Sequence, residues 1–424
     1  MGTDRSVYLA GRLSPKVSLY LLASIAASLL AGSSAPTPLY AIYQAKWGFS
    51  PITTTIVFGV YALAVLTALL TVGSLSDHVG RRPVLLAALA VQVVAMVVFI
   101  TADGVPQLLV ARIVQGLSTG AAAGAIGAGM LDLNKTRGTI ANAVAPITGT
   151  AAGALGSGLL VQYLPQPTHL VYLVLLGVFV LQAIGVLLMP ETSSPTPGAL
   201  ASLRPQFAVP AAVRRPLLFA VPALVAVWAM AGLYGALGPA LVKLVSGSGS
   251  VVLGGLSLFV LASSGAVAVL LLQRQNARQL TLIGGGALLA GIALTLVAVG
   301  TRSTAGFFVG TAIAGIGFGG GFQGAIRSVM PLAAPHQRAG VLSVVYVVSY
   351  LALGLPAVIA GVLLVHGDNL LHTTVQYGVT VMVLAALALL GAIRPTRPAV
   401  ETRPERDEVI EPEQAHQMRT AQRV

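Results

Sequence analysis

The chain contains no cysteine in its 424 residues, which excludes disulfide bridges and thiolate metal sites. Charge is also scarce, because only 8% of the residues are Asp, Glu, Lys or Arg, against about 25% in a typical soluble domain. A soluble monomer this poor in charge would expose large apolar patches, which such proteins rarely tolerate. These absences favour a chain whose surface faces lipid.

Apolar stretches fill most of the sequence, with 56% hydrophobic residues and a mean hydropathy of +0.88. A helix needs about 20 mostly apolar residues to cross a bilayer. Twelve stretches are long enough, at 17–39, 53–73, 83–102, 106–130, 139–164, 168–189, 216–243, 249–272, 280–300, 304–330, 339–364 and 371–393. The sequence therefore predicts an all-α integral membrane protein with twelve transmembrane helices.

Two polar segments divide the chain. Residues 190–215 are rich in Pro, Ser and Arg and are interpreted as a cytoplasmic linker between six-helix bundles at 1–189 and 216–393. Residues 394–424 hold six basic and six acidic side chains and predict a disordered cytoplasmic tail.

The basic residues predict the orientation of the chain, because Lys and Arg accumulate in cytoplasmic loops. With the N-terminus inside, thirteen fall in inner segments before the tail and three in outer loops, so we expect both termini in the cytoplasm. These loops explain the formal charge of +12, and no nucleic-acid partner is expected. Four lysines beside twenty arginines suggest a GC-rich genome, and we expect a multi-pass protein of the bacterial cytoplasmic (inner) membrane.

A basic loop, GSLSDHVGRRP, separates the second and third stretches. It has a glycine, a leucine two residues on, an acid two further, a second glycine three after that, and a basic pair. These residues are Gly73, Leu75, Asp77, Gly80, Arg81 and Arg82. The spacing resembles the loop signature of the major facilitator superfamily, with departures at His78, where Arg or Lys is common, and at Val79, where an aromatic is common.

The resemblance implies two pseudo-symmetric bundles, transport by alternating access, and a latch in this loop that favours the outward-open state. Gly73 permits close approach of helix backbones, and Gly80 permits a turn that other residues resist. Asp77 is expected near the N-terminus of the eleventh span, where a carboxylate gains about 0.3–2 kcal/mol. Arg81 is expected to pair with Asp77 or with Asp132. The alternative is that the two arginines only anchor the topology.

Arg112 lies inside the fourth stretch, where a charge costs at least a few kcal/mol and indicates a functional residue. Gln115 and Thr119 share its helix face. The local sequence resembles a second family motif, which is associated with proton-coupled members. The alternative is that Arg112 snorkels to the outer headgroups. Arg327, near the inner end of the tenth stretch, fits either interpretation.

The fourth and tenth stretches also carry traces of an internal repeat. At an offset of 199, Gly116 matches Gly315 and Gly120 matches Gly319. Shared small-residue packing without common ancestry is the alternative.

In the fold that the resemblance implies, spans one, four, seven and ten line a central cavity. Helical spacing predicts further cavity residues in three of them, namely Tyr20, Ser24 and Ser28, then Met230 and Tyr234, then Thr311, Phe318 and Phe322. Such polar, aromatic and flexible apolar groups suit an amphipathic organic molecule. For any single residue, helix packing is the alternative.

Acids are missing from the middle of every predicted span. All twelve are Asp4, Asp77, Asp103, Asp132, Glu191, Asp368 and six in the tail. A proton carrier would have to be Asp77 or Asp132 at the inner gate, unless coupling is weak or the protein is a facilitator. A cavity with Arg112 and no acid favours neutral or anionic substrates over cations.

The fifth stretch gives a hint of direction. Its glycines at 149, 153, 156 and 158 resemble an exporter motif of the family, although Ala154 follows Gly153 where Pro is usual.

We therefore expect a secondary active transporter for proton-linked export of a small amphipathic drug or metabolite. Uptake or facilitated transport of a neutral metabolite such as a sugar is the alternative, and a transporter-like sensor or a membrane enzyme is the alternative class. A membrane enzyme would need His, Asp or Glu clusters, which the spans lack. We expect no cofactor and no metal, a small-molecule substrate, contact with the lipid bilayer, protons as a possible second substrate, and a monomer.

Overall fold

A computed structural model describes residues 12–393 apart from Gln206, Ala208, Pro335, His336 and Asp368. The tail predicted at 394–424 lies outside the described residues.

The first half consists of eight helices: α1 Pro15–Ser34, α2 Tyr40–Trp47, α3 Pro51–Val72, α4 Ser76–Val79, α5 Arg81–Ile100, α6 Val105–Leu133, α7 Lys135–Tyr163 and α8 Pro167–Leu188. A short helix follows, α9 Ala199–Ser202. The second half consists of α10 Ala211–Ser246, α11 Val251–Leu271, α12 Ala277–Gly300, α13 Thr304–Val329, α14 Arg338–Val365 and α15 Leu370–Ile393. Within the described residues, twelve helices are long and apolar enough to cross a membrane, which confirms the all-α fold with twelve spans.

Two predicted boundaries are wrong by five residues, both because of proline. The first helix stops at Ser34 instead of residue 39, since Pro36 and Pro38 lack the N–H that the helix would use, and the chain resumes as α2. The seventh span begins at Ala211 rather than at Pro216, which lies inside α10 with two further prolines. Membrane helices tolerate such prolines because neighbouring groups satisfy the freed backbone.

Successive spans cross in opposite directions, so the helix ends form two layers. We call the layer with the loop Gly73–Pro83 the motif end, and that loop the motif loop; the opposite layer is the far end. At the far end the two halves contact each other. Gln162 of α7 accepts hydrogen bonds from the Ser250 hydroxyl at 2.7 Å and the Val252 amide at 3.1 Å. Nearby, Thr37 donates to the carbonyl of Gly235 in α10 at 3.1 Å.

At the motif end the halves separate. A crevice of about 400 Å³ lies between α7 of the first half and α11 and α13 of the second. An apolar cluster at the start of α10 and α14 is built from second-half residues alone, including Val213, Val329 and Val341. The protein is therefore closed at the far end and open at the motif end.

Candidate functional site

A central cavity of about 150 Å³ lies between the two halves, closer to the far end than the crevice is. The first half contributes Ser33 and Tyr61 to its wall, and the second half contributes Trp228, Phe318 and Tyr350. The lining is mostly apolar and aromatic and contains no charged residue among the residues described. Trp228 is central to it, because its ring lies 6.2 Å from that of Phe318 and 5.6 Å from that of Tyr350. The Trp228 indole N–H is buried and has no hydrogen-bond partner among the described residues.

Arg112 lies directly behind this wall and is completely buried. Its Nη1 donates to the carbonyl of Ser33 at 2.9 Å and to Gln115 Oε1 at 2.7 Å. Its guanidinium carbon sits 4.3 Å from the centre of the Tyr61 ring, a cation–π contact. Both Ser33 and Tyr61 face the cavity on their other side. Arg112 is therefore held inside the protein and does not snorkel to the headgroups.

No acid pairs with Arg112 in the described part of the chain, so its charge is balanced only by dipoles. The side-chain amide of Gln115 donates in turn to the carbonyl of Gly32 at 2.9 Å. Several buried polar atoms have no hydrogen-bond partner within the described ranges: Arg112 Nε, the Tyr40 hydroxyl and both polar atoms of the Gln92 amide. Thr119 is buried and bonds to its own helix at the carbonyl of Gln115. The fourth-span residues thus place one buried positive charge, Arg112, behind the cavity wall.

The predicted stripe in α1 does not face the cavity. Gln182 of α8 donates to the hydroxyls of Ser24 at 3.2 Å and Ser28 at 2.9 Å, so both serines face α8. Tyr20 is 58% exposed. The cavity face of α1 is instead the one with Ser33, which a helical step of four from Tyr20 misses.

The second-half stripes are divided between the wall and the interior. Phe318 lines the cavity, and the ring of Phe322 packs against Trp228 at 5.5 Å. Met230 and Tyr234 are buried in the second-half core. The Tyr234 hydroxyl shares a 2.7 Å hydrogen bond with Thr311, which is also buried. Sequence reasoning missed Tyr61, Trp228 and Tyr350, although mid-span aromatics in a chain with 6% aromatic residues were a usable signal.

In the motif loop, Arg81 makes both of the predicted ion pairs. Its Nη1 contacts the Asp77 carboxylate, and its Nε lies 3.3 Å from Asp132 Oδ2. Nη1 also donates to Ser76 at 2.8 Å. Within the described residues, no hydrogen bond or ion pair joins Asp77 to α14, which agrees with the open motif end.

The structure gives Gly80, Gly73 and Leu75 of the loop three different environments. Gly80 has φ +100°, a conformation that L residues with a side chain rarely adopt. A Cβ added to Gly124 of α6 would overlap the carbonyl oxygen of Gly73, so the two helices approach closely at that point. Leu75 packs against the apolar core of the first half.

Sequence reasoning missed the carboxylate that holds this loop in place. Glu191, just after α8, accepts the backbone N–H of Arg81 at 2.8 Å and of Arg82 at 3.0 Å, and so caps the start of α5. The Arg82 side chain in turn donates to the last carbonyls of α8, at Val186 and Leu187. Position was the available signal, since Glu191 is one of only six acids before the tail and lies at the predicted inner face.

The segment after Glu191 lies on the motif loop. Thr192 donates to Asp132 at 3.2 Å, and the Thr196 amide donates to the carbonyl of His78 at 2.8 Å. Further along, Ser74 donates to the carbonyl of Ser202 at 3.1 Å. The linker therefore begins as an ordered cover of the loop.

Among the described residues, no group of three or more His, Cys, Asp or Glu side chains is placed to hold a metal ion. What the residues form is a cavity at the interface of two helical halves, with one end closed and the other open.

A family model described as Major Facilitator Superfamily matches residues 21–355. The chain belongs to the major facilitator superfamily. Among solved structures of the superfamily fold, that of the nucleoside transporter NupG aligns with a TM-score of 0.67 and 12% sequence identity, covering 89% of this chain and 98% of that one. At this identity the likeness shows the fold alone. No curated protein matches the sequence.

Membership confirms the expectation of a transporter for a small molecule and not an enzyme. The twelve apolar helices make it a multi-pass membrane protein.

Proposed function

We propose that this protein is a secondary active transporter that exports a small amphipathic compound by alternating access, with protons as the coupled ion. The observation that carries the proposal is the central cavity between the halves, lined by Tyr61, Trp228, Phe318 and Tyr350. Large aromatic surfaces with few polar groups bind flat or greasy organic molecules well. Trp228 contributes an aromatic surface, since its ring lies beside those of Phe318 and Tyr350 in the wall.

The charge around the cavity supports neutral or anionic substrates. Arg112 lies behind the wall and has no carboxylate partner among the residues that the structure describes, and a buried positive charge in a low dielectric acts over several ångströms. A cation in the cavity would therefore be repelled, whereas a neutral or acidic amphiphile would not.

Proton coupling is assigned to the motif loop, because the described residues of the cavity wall include no acid. Asp77 and Asp132 share Arg81, so protonation of either carboxylate weakens the ion-pair cluster at the gate. Export is the direction that the glycines of α7 favour, and we place both termini and the motif end in the cytoplasm from the distribution of Lys and Arg.

Transport of a neutral metabolite, taken up or released, is a second candidate. Its support is the structural likeness to a nucleoside transporter together with an aromatic lining on which a ring would stack.

Binding is testable with intrinsic fluorescence, since the chain has two tryptophans. Trp47 stacks on Tyr43 in α2, away from the cavity, so Trp47→Phe leaves Trp228 as the reporter in the wall. We expect hydrophobic neutral or acidic compounds to quench Trp228 in a saturable manner, with no response to matched cations. Saturable quenching by nucleosides or sugars instead would favour the second candidate.

Flux in proteoliposomes tests transport and coupling together. Compounds that quench Trp228 should accumulate when the lumen is acidic and should drive proton counterflow. Saturable flux that ignores the imposed pH gradient would refute proton coupling and indicate a facilitator. Saturable binding without flux would refute the transport proposal itself.

A further inference from the structure

The crevice at the motif end has a chemistry different from that of the central cavity. Lys135 and Arg327 line it together with Thr139, Gln273 and Gln323, and no acid is among the described lining residues. Lys135 makes no hydrogen bond or ion pair through its side chain within the described part of the chain. Two positive charges thus share one concave space of about 400 Å³ without a counter-charge.

The two cations belong to opposite halves, since Lys135 begins α7 and Arg327 lies near the end of α13. Arg327 is fixed in place, because its Nη1 donates to the carbonyls of Gln273 and Gln275, both at 2.9 Å. Its Nη2 and Nε atoms make no hydrogen bond within the described residues, so they remain available to a ligand. Guanidinium and ammonium groups are the donors that bind phosphate oxygens in proteins.

Apolar surface adjoins these charges. Ile140 and Leu270 also line the crevice and are 39% and 42% exposed. They lie on two membrane-spanning helices, α7 and α11, which form two sides of the crevice. A ligand with an acidic head and an acyl chain satisfies both kinds of surface, whereas a free inorganic anion satisfies only the first.

We propose that this crevice binds the phosphate head group of an anionic membrane lipid, with Lys135 and Arg327 on either side of the phosphate. The location agrees with the predicted topology, because the cytoplasmic leaflet is where anionic lipids attract basic residues. The bound phosphate also has a mechanical consequence. Closing the motif end brings Lys135 and Arg327 together, and an anion between them removes the repulsion that would oppose closure.

Native mass spectrometry of the delipidated full-length chain tests the proposal, with phosphatidylglycerol and phosphatidylcholine of identical acyl chains as probes. One basic residue near the surface is worth about 1 kcal/mol towards an anionic lipid, or about fivefold in affinity. We therefore expect Lys135→Gln to weaken phosphatidylglycerol binding about fivefold and to leave phosphatidylcholine binding unchanged. The matched control is Arg137→Gln, an exposed cation on the same helix that does not line the crevice.

Arg327→Gln should produce a similar loss, with Arg274→Gln as its exposed control outside the crevice lining. Because Arg327 also holds two carbonyls, its variant is interpreted only if its melting temperature matches the wild type, and Lys135→Gln carries the test otherwise. Equal affinity for the two lipids, or an equal loss in Arg137→Gln, would overturn the proposal. If millimolar inorganic phosphate displaced phosphatidylglycerol in a manner that depends on Lys135, the ligand of the crevice would be a free anion and the lipid proposal would be wrong.

Discussion

The two halves of this transporter share one close helix contact but differ in charge. A Cβ on Gly120 would overlap the carbonyl oxygen of Val65, and a Cβ on Gly319, at the offset of 199, would overlap that of Gly265. The backbones of α6 and α3, and of α13 and α11, thus approach in the same way. At the same offset Arg112 corresponds to Thr311, so a buried cation in one half is a neutral hydroxyl in the other.

The loops after the second membrane span of each half, α3 and α11, differ as well. The start of α5 is capped by Glu191, from more than a hundred residues away in the chain. The start of α12 is capped locally, by a reciprocal pair of hydrogen bonds between Asn276 and Gln279. Small-residue packing therefore builds the fold in both halves, whereas the features we connect with gating and coupling are confined to the first.

The largest loss of folded protein is expected at the close helix contacts that the two halves share, at Gly120 and Gly319. Gly120→Val and Gly319→Val each force a side chain into a neighbouring backbone, which costs about 1–3 kcal/mol or more. We expect both variants to lose monodisperse protein in size-exclusion chromatography to a similar extent. Gly177→Val in α8 and Gly286→Val in α12 are controls, because a Cβ there meets nothing within 4 Å. Damage in one half only would break the packing equivalence.

Substitutions at Arg112 and at Thr311, the matching positions of the two halves, should have different effects on flux. Arg112→Lys retains the charge but loses the paired hydrogen bonds and the stacking on Tyr61. A rise of about 1.4 kcal/mol in the transport barrier slows the rate about tenfold, so we expect flux to fall by about tenfold or more. Thr311→Val removes two neutral hydrogen bonds, to Tyr234 and to the carbonyl of Phe307, each worth about 1 kcal/mol of stability, and should leave most flux intact. Flux in proteoliposomes with melting temperatures decides, and equal losses of flux would contradict the assignment.

Asp77 tests the latch. Asp77→Asn should leave the protein in the membrane but impair transport, because the closed motif end loses a carboxylate worth about 0.3–2 kcal/mol at the start of α14. That range corresponds to about a two- to thirtyfold shift towards the open motif end. The measurement is maleimide labelling of Thr139→Cys in the crevice, which needs no background removal because the chain has no cysteine. Asp103→Asn at the far end is the control, and wild-type transport in Asp77→Asn would count against the latch.

The smallest effects are expected from removing the two helix caps, Glu191 at the start of α5 and Asn276 at the start of α12. Glu191→Gln and Asn276→Ala should each cost about 1 kcal/mol of stability, read as a lower melting temperature. Only Glu191→Gln should also change the labelling rate at Thr139→Cys, because Glu191 holds the motif loop. A labelling change of the same size in Asn276→Ala would show that the loop of the first half has no special role.

Sequence reasoning predicted the twelve spans because lipid imposes a strong length and hydropathy signal on each helix. It also predicted the partners of Arg81, since a basic pair next to two acids at one face leaves few alternatives. It placed Ser24 and Ser28 on the wrong side of α1, because a helical step of four identifies a face but not the neighbour that the face meets. Glu191 and Trp228 were missed, since their roles arise from contacts between segments distant in the chain.

Alternating access requires the central cavity to open at one end while it closes at the other, and distances between paired spin labels measure both ends. The motif-end pair is Thr139→Cys with Gln273→Cys across the crevice, and the far-end pair is Gln162→Cys with Ser250→Cys across the closed contact. A transported substrate with a proton gradient should shorten the first distance and lengthen the second together. Distances that change at only one end, or that stay fixed during measurable flux, would contradict alternating access through this cavity.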